Sequence, residues 1–265
     1  MTKKWPLVSF IGSGHVAWHL APALDNAGLV VKEVYSRNPQ HAEALTERLY
    51  QAEVKASLDF STSESRLFVM AVADDAIEAI AQEIILPEEA TLVHTSGSVP
   101  LDVLAFAAPA QSAVFYPLQT FTRAKRVDFQ HVPVLIETMD EQAWNELYAI
   151  AKAISARVHR IDAEKRVALH VAAVFASNFT NHLLRVSQRL LETHQLPYDL
   201  IKPLVAETIQ KSLELGPQAA QTGPARRGDL KTLDRHLEFL QTHPAQAELY
   251  RLLSQDILNE YSDYL

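Results

Sequence analysis

The chain has 265 residues, 48% of them hydrophobic, enough for one large domain or two smaller ones with a proper core, which argues against disorder. A formal net charge of −8 disfavours non-specific nucleic-acid binding, which needs a basic footprint, so no nucleic-acid partner is expected. With no cysteine, the sequence excludes disulfides, thiolate metal sites and a cysteine nucleophile, and no metal site is assigned.

In chain order, Met1-Thr2-Lys3-Lys4-Trp5-Pro6 is basic, but the apolar run behind it is short and no signal peptide is read there. That run, Leu7-Val8-Ser9-Phe10-Ile11, predicts a buried strand. Gly12-Ser13-Gly14-His15-Val16-Ala17 follows and opens a helix over 15–26, stopped by Asn26-Ala27-Gly28. Strand, Gly-x-Gly-x-x-Ala, helix is the dinucleotide-binding fingerprint in its proper context. Gly12 permits the tight turn, Gly14 lets backbone approach a pyrophosphate, and Ala17 lets helix and strand pack closely. The free N–H groups of the helix N-terminus suit phosphates. Strand two is read over 30–35. At its end an acidic residue would hold the ribose 2′-hydroxyl of NAD, but the chain reads Tyr35-Ser36-Arg37-Asn38. Arg37 can pair with a 2′-phosphate while Ser36 and Asn38 donate hydrogen bonds, which favours NADP. Glu33 lies two positions too early to take the acidic role.

A helix is expected over 39–50. A strand over 67–72 is apolar throughout, as in a parallel sheet buried on both faces. Val72 and Ala73, small residues behind that strand, are assigned to cofactor contact, and Asp74 to the cap of a helix over 74–84. His94 ends a strand over 91–94 and leads into Thr95-Ser96-Gly97-Ser98, at the sheet edge where ligands bind in such folds. His94 is a candidate to polarise a carbonyl or carry a proton, and Ser98 a candidate helix start. After a strand over 113–116, Gln119 is a candidate to orient substrate, while Tyr116 and Phe121 are read as shaping a turn. A strand over 132–136, a helix over 141–155 and a strand over 157–161 complete a doubly wound α/β domain, 1–161.

From Asp162 the pattern turns all-α, giving a second domain over 162–265. A helical pattern capped by Asp162 runs without Gly or Pro to Pro197, about 34 residues or about 50 Å. Further helices are expected over 198–215, 229–241 and 245–264, the second capped by Asp229. A helix so long needs packing along its length, so a homodimer through this half is expected. No apolar stretch approaches the roughly 18 residues of a membrane helix, and a soluble cytoplasmic protein without a membrane partner is expected. At 100° per residue, Ser177 and Asn181 fall within about 20° of the direction of His170. A stripe of this kind amid small apolar residues predicts a buried site for a small carbonyl, carboxylate or amine. Gly216 to Asp229 holds three of the chain's seven glycines, and Thr222, Arg226 and Arg227 there are candidates for an anionic substrate or a neighbouring subunit.

Phe10-Ile11-Gly12-Ser13-Gly14, His94-Thr95-Ser96-Gly97-Ser98, Phe115-Tyr116-Pro117-Leu118-Gln119-Thr120-Phe121, His170 to Asn178 and Thr222 to Asp229 span nearly the whole chain. With these motifs the chain resembles bacterial proteins that join a Rossmann-like NADP-binding domain to a C-terminal helical domain of unknown function, described as NADP oxidoreductases. More distantly it is similar to pyrroline-5-carboxylate reductase, ketopantoate reductase and the β-hydroxyacid dehydrogenases. That resemblance implies a substrate cleft between the domains and a dimer built on the helical half. The hydroxyacid dehydrogenases place a catalytic lysine early in the long helix and an asparagine one turn later. Here the nearest positions hold His170 and Val174, and no lysine stands between Lys165 and Lys202.

The expected function is hydride transfer between NADP and a small carbonyl, imine or hydroxy-acid substrate. His170 is the expected proton donor, with Ser177 and Asn181 positioning substrate and His94 or Gln119 approaching from the sheet. A non-catalytic NADP-binding sensor or scaffold is the alternative, and a methyltransferase with a nucleoside cofactor a third.

Overall fold

A computed structural model describes residues 5–261. Met1 to Lys4 and the end of the last expected helix, 262–264, lie outside the described residues. The chain forms two compact units, Met1–Ser177 and Asn178–Leu265.

The first unit carries eight strands: β1 (Val8–Ile11), β2 (Val31–Tyr35), β3 (Glu53–Lys55), β4 (Leu67–Met70), β5 (Thr91–His94), β6 (Gln111–Pro117), β7 (Val134–Glu137) and β8 (Val158–Arg160). They form one sheet in the order β3-β2-β1-β4-β5-β6-β7-β8. All neighbours are parallel except β6 and β7, which pair antiparallel. Helices α1 (His15–Asn26), α2 (Pro39–Thr46), α3 (Ile77–Glu83), α4 (Glu141–Ile154) and α5 (Ala163–Ala173) belong to this unit. This is the doubly wound, Rossmann-like architecture. Leu67 and Val69 of β4 point into one core cluster, and Phe68 and Met70 into another. Period-two alternation between two buried faces is why that strand has no polar face. Each such side chain, fully buried, contributes about 1.5–3 kcal/mol. Strand order reverses between β1 and β4, opening the crevice at their C-terminal ends.

One strand departs from the sequence reading. β3 is three residues long, Glu-Val-Lys, at the sheet edge and largely exposed. Charged, short edge strands resist further pairing and leave little hydrophobic pattern to read.

The second unit consists of α6 (Thr180–Thr193), α7 (Lys202–Leu215), α8 (Pro217–Ala220), α9 (Leu230–Phe239) and α10 (Pro244–Tyr261), with no strand among the described residues. Asp229 caps α9, its carboxylate accepting from Thr232 N–H. Arg226 stacks on the Tyr261 ring at 4.2 Å.

The long helical run is interrupted. Between α5 and α6, Val174–Phe179 winds as a π-helix. The compact division falls inside this segment, later than the change of sequence pattern at Asp162. α5 goes with the sheet because Arg166, fully buried, donates from Nε to Glu137 on β7 at 2.7 Å and from Nη1 to the Ser96 carbonyl at 3.3 Å. Taken together, Ala163–Thr193 spans 31 residues with an 18-residue window of mean hydropathy 1.2. By length and composition alone that would suffice to cross a membrane, contrary to the sequence reading. His and Asn interleave the apolar positions, so the stretch does not look like an unbroken apolar run.

Candidate functional site

The β1–α1 turn is built for close approach. Gly12 has φ +104°, and a Cβ there would lie 2.3 Å from the Ala71 carbonyl oxygen. Both facts demand glycine. Gly14, by contrast, has only Ala71 O within 4 Å of a virtual Cβ, at 3.8 Å, so its bare backbone faces open space. That space is a cavity of about 790 Å³ lined by the turn, the end of β2 and the loop after β4. All ten residues assigned to cofactor in the sequence reading line it: Gly12, Ser13, Gly14, His15, Val16, Ser36, Arg37, Asn38, Val72 and Ala73.

Local bonds explain how they converge. Ser13 Oγ donates to Ser36 Oγ at 3.0 Å, tying the glycine turn to the end of β2. Arg37 is exposed and makes no ion pair with any described residue. Asn38 has a second duty: its Oδ1 accepts from Gln40 N–H and caps α2, leaving only its amide N–H groups for a ligand. Glu33 is withdrawn from the cavity, accepting from Ser9 and Ser63 hydroxyls and pairing with Lys55 at 3.4 Å. The cleft therefore presents a free guanidinium and no carboxylate where a ribose 2′-substituent would lie. The residues fit an NADP-type dinucleotide. His41 and Arg123 also line the cavity. His41 follows Arg37 by four positions and was within reach of sequence reasoning. Arg123 arrives from 110 residues away, donating from Nη2 to the Ser13 carbonyl at 3.0 Å, and no local signal marks it.

A second cluster forms along the same sheet edge, beyond β5 and β6. His170 Nδ1 and the Tyr116 hydroxyl are 2.9 Å apart, with the rings edge-on. Gly97 packs beneath them: a Cβ there would lie 2.4 Å from His170 Nδ1 and 2.8 Å from Tyr116 Cζ. Burial, then the Asp74 charge, push the Tyr116 phenol above its ordinary range, with Arg166 opposing. Tyr116 is therefore a protonated hydroxyl at neutral pH. Sequence reasoning took it for a turn-shaping residue; the signal available was its place at the open end of β6, beside core Phe115.

The loops differ from expectation in three ways. Asp74 does not cap its helix. Ala73 holds the N-cap position without a side-chain bond, and Asp74 instead accepts from Ser98 Oγ at 2.7 Å. Ser98 does not start the following turn by itself, because Ser96 Oγ accepts from both Ser98 and Val99 N–H. His94 is fully buried, so it cannot touch substrate. Its Nδ1 accepts from Ser96 N–H at 3.2 Å, and its Nε2 faces the Pro100 carbonyl without reaching hydrogen-bond geometry. Burial, then the Arg166 charge, push its pKa down to about 4, so it is neutral. It holds the turn that presents Gly97.

Gln119 is exposed and folds onto its own neighbour, its Oε1 accepting from Thr120 N–H at 2.8 Å. It lines none of the cavities described here. Ser177 is half-buried within the π segment, and Asn181, on α6 in the second unit, is exposed. Across the π segment i→i+5 bonding widens the turn, so the 100° spacing used for the sequence expectation does not apply there.

Two family models match the chain: a Rossmann-like domain over residues 4–118 and a domain of unknown function, DUF2520, over 132–257. No curated protein matches it. Among solved structures, a putative NADP oxidoreductase from Bacteroides fragilis is 38% identical, covering 96% of this chain and 98% of its own, with a TM-score of 0.88. A reductive aminase from Aspergillus terreus, in complex with NADPH and ethyl levulinate, is 15% identical over 99% of this chain and 100% of its own, with a TM-score of 0.71. An imine reductase from Myxococcus stipitatus, in complex with NADP+, is 14% identical over 97% and 93%, with a TM-score of 0.63. The last two show a common fold.

Proposed function

The chain belongs to the family that joins a Rossmann-like domain to a DUF2520 domain, the family of the Bacteroides protein named a putative NADP oxidoreductase, and from that premise we propose that it is an NADP-dependent oxidoreductase. Its substrate is a small carbonyl, imine or hydroxy acid. The observation that carries this reading is the cavity beside the glycine turn, in which the bare backbone of Gly12 and Gly14 meets an unpaired Arg37.

The backbone N–H groups at the start of α1 hold the pyrophosphate. Ser36, Arg37 and the Asn38 amide hold the 2′-phosphate, a task for which guanidinium is well shaped. The cofactor, when bound, supplies or accepts a hydride at the substrate carbon. The proton at the substrate oxygen or nitrogen is the business of Tyr116 and His170. The Tyr116 hydroxyl and His170 Nδ1 share one hydrogen bond, so a proton that one ring gives to the substrate can be replaced from the other. Asp74 and Ser98 tie the loop that carries cofactor contacts to the loop that carries Gly97. This pair takes the place of the lysine of the hydroxyacid dehydrogenases.

Tyr116→Phe and His170→Asn test the reading. Each is expected to lower turnover of NADPH with an active carbonyl or imine about 10²-fold or more, with NADPH affinity unchanged, in the range of a lost general acid. Unchanged turnover in both overturns the role of the pair, and absence of NADPH binding overturns the cofactor. Tight NADPH binding without turnover across a broad panel would establish the sensor instead.

A homodimer through the helical half and a soluble cytoplasmic location are part of the proposal. In the second unit Leu200, Leu204, Leu213 and Leu215 are exposed, and a groove of about 440 Å³ lies between α6 and α7. We assign this apolar surface to a second copy rather than to lipid, because Arg166 and His170 commit the start of the long helical run to the sheet unit.

A further inference from the structure

Beside the cofactor cavity, Arg48, Arg123 and Arg126 line a second cavity together with Trp18. Trp18 lies on α1. The Arg48 guanidinium sits 4.2 Å and the Arg123 guanidinium 4.5 Å from its ring centroid. Arg48 also donates to the Trp18 carbonyl, and Arg123 to the Ser13 carbonyl. Arg126 completes the group at a cavity of about 850 Å³ that all three line, together with Asn26 and Phe129. Asp128 lines it too, but its carboxylate caps Gln130 N–H and lies 3.7 Å from His131. Among the described residues no carboxylate pairs with Arg48, Arg123 or Arg126.

In a chain of net charge −8, three unneutralised guanidiniums at one cavity are anomalous. Burial and the neighbouring charges of Arg123 and Arg126 all press the Arg48 pKa downward. The group thus works against itself, and a bound anion relieves it. Two of the three side chains are held in place by stacking and by a backbone carbonyl, so little ordering entropy is left to lose on binding.

We propose that the Trp18 cavity is a second ligand site, distinct from the cofactor cavity, that takes a small multivalent anion of the phosphate-ester or oligophosphate class. Guanidinium forks match phosphate oxygens bidentately, and three of them call for more than one negative charge. The cavity's volume admits a small metabolite rather than a lone ion. Arg123 is shared by both cavities, so occupancy here bears directly on the glycine turn.

The test is calorimetric titration of tripolyphosphate into protein saturated with NADP+, which closes the cofactor cradle to the probe. One saturable site is expected, weakening with added salt. Arg48→Gln with Arg126→Gln should raise its Kd at least tenfold, whereas Arg48→Lys with Arg126→Lys, which keeps the charge but loses the fork and the stack on Trp18, should fall between the wild type and the glutamine pair. Arg37→Gln should leave it unchanged. All these side chains are exposed, and an unaltered thermal midpoint verifies folding. No binding to the NADP+-saturated protein overturns the proposal. So does binding that Arg37→Gln abolishes and the paired glutamine variant does not, since the probe would then sit in the cofactor cavity. Failure of NADP+ itself to bind is read in the same experiment and strikes the cofactor assignment, not this one.

Discussion

Gly97 and Gly12 are glycines for different reasons. Gly12 is held at positive φ against the Ala71 carbonyl, a demand of the backbone. At Gly97 the demand is steric: the Tyr116 and His170 rings occupy the space of a Cβ. Only the first was legible locally, from the fingerprint spacing. The second depends on residues 19 and 73 positions further along the chain, which no local pattern links. Arg37 belongs to the legible kind, because it directly follows β2 and lines the cavity there. Arg37→Asp places a carboxylate where a 2′-phosphate would lie. NADP affinity is expected to fall at least tenfold and NAD affinity to hold or rise, measured by fluorescence titration of both cofactors. Unchanged preference would remove Arg37 from the site.

Among elements, the end of β5, where it passes into the loop that carries Gly97, holds a histidine whose titration bears on stability. His94 is buried neutral, with a folded pKa of about 4 against an ordinary 6.5. Between those values the unfolded chain binds the proton and the folded chain does not. The His94 contribution to stability is therefore intact above about pH 6.5, is lost as pH falls toward 4, and changes no further below that. A shift of this size corresponds to about 3 kcal/mol. Urea unfolding of the wild type and of His94→Asn, at pH 7.5 and 4.5, isolates the histidine from the carboxylates that titrate alongside. The wild type should lose more stability than the variant by a few kcal/mol; parallel losses would show that His94 is not buried neutral. The same loop rests on the buried Arg166–Glu137 pair, whose disruption on one side leaves an uncompensated charge. The π segment is the other element that local reading misses. Its residues have ordinary helical propensity, and a wider turn follows from packing rather than composition.

For the molecule as a whole, the helical unit leaves the largest debt. Leu213 is 82% exposed, and Leu204 and Leu200 stand out nearly as far. Large apolar side chains exposed on more than one face of α7 leave surface for an interaction site. The wild type is expected to sediment at twice the 29.6 kDa chain mass at micromolar concentration, and Leu204→Glu with Leu213→Glu to shift it toward the monomer. A monomeric wild type would refute the dimer. NADPH affinity should survive the substitutions, since the cofactor cavity is lined by the first unit alone.

By itself the sequence determined the doubly wound sheet, the helical second half and ten residues that line the cavity beside the glycine turn. These follow from hydrophobic period, caps and the glycine turn, which act over a few residues and are written locally. Tertiary structure alone decided that Tyr116 meets His170, that His94 is sealed beneath them, that Val174–Phe179 winds as a π-helix, and that Arg48 and Arg123 stack on Trp18 with Arg126 at the same cavity. Each of these depends on side chains brought together from distant segments by strand order and packing, and distance along the chain carries no record of such contacts.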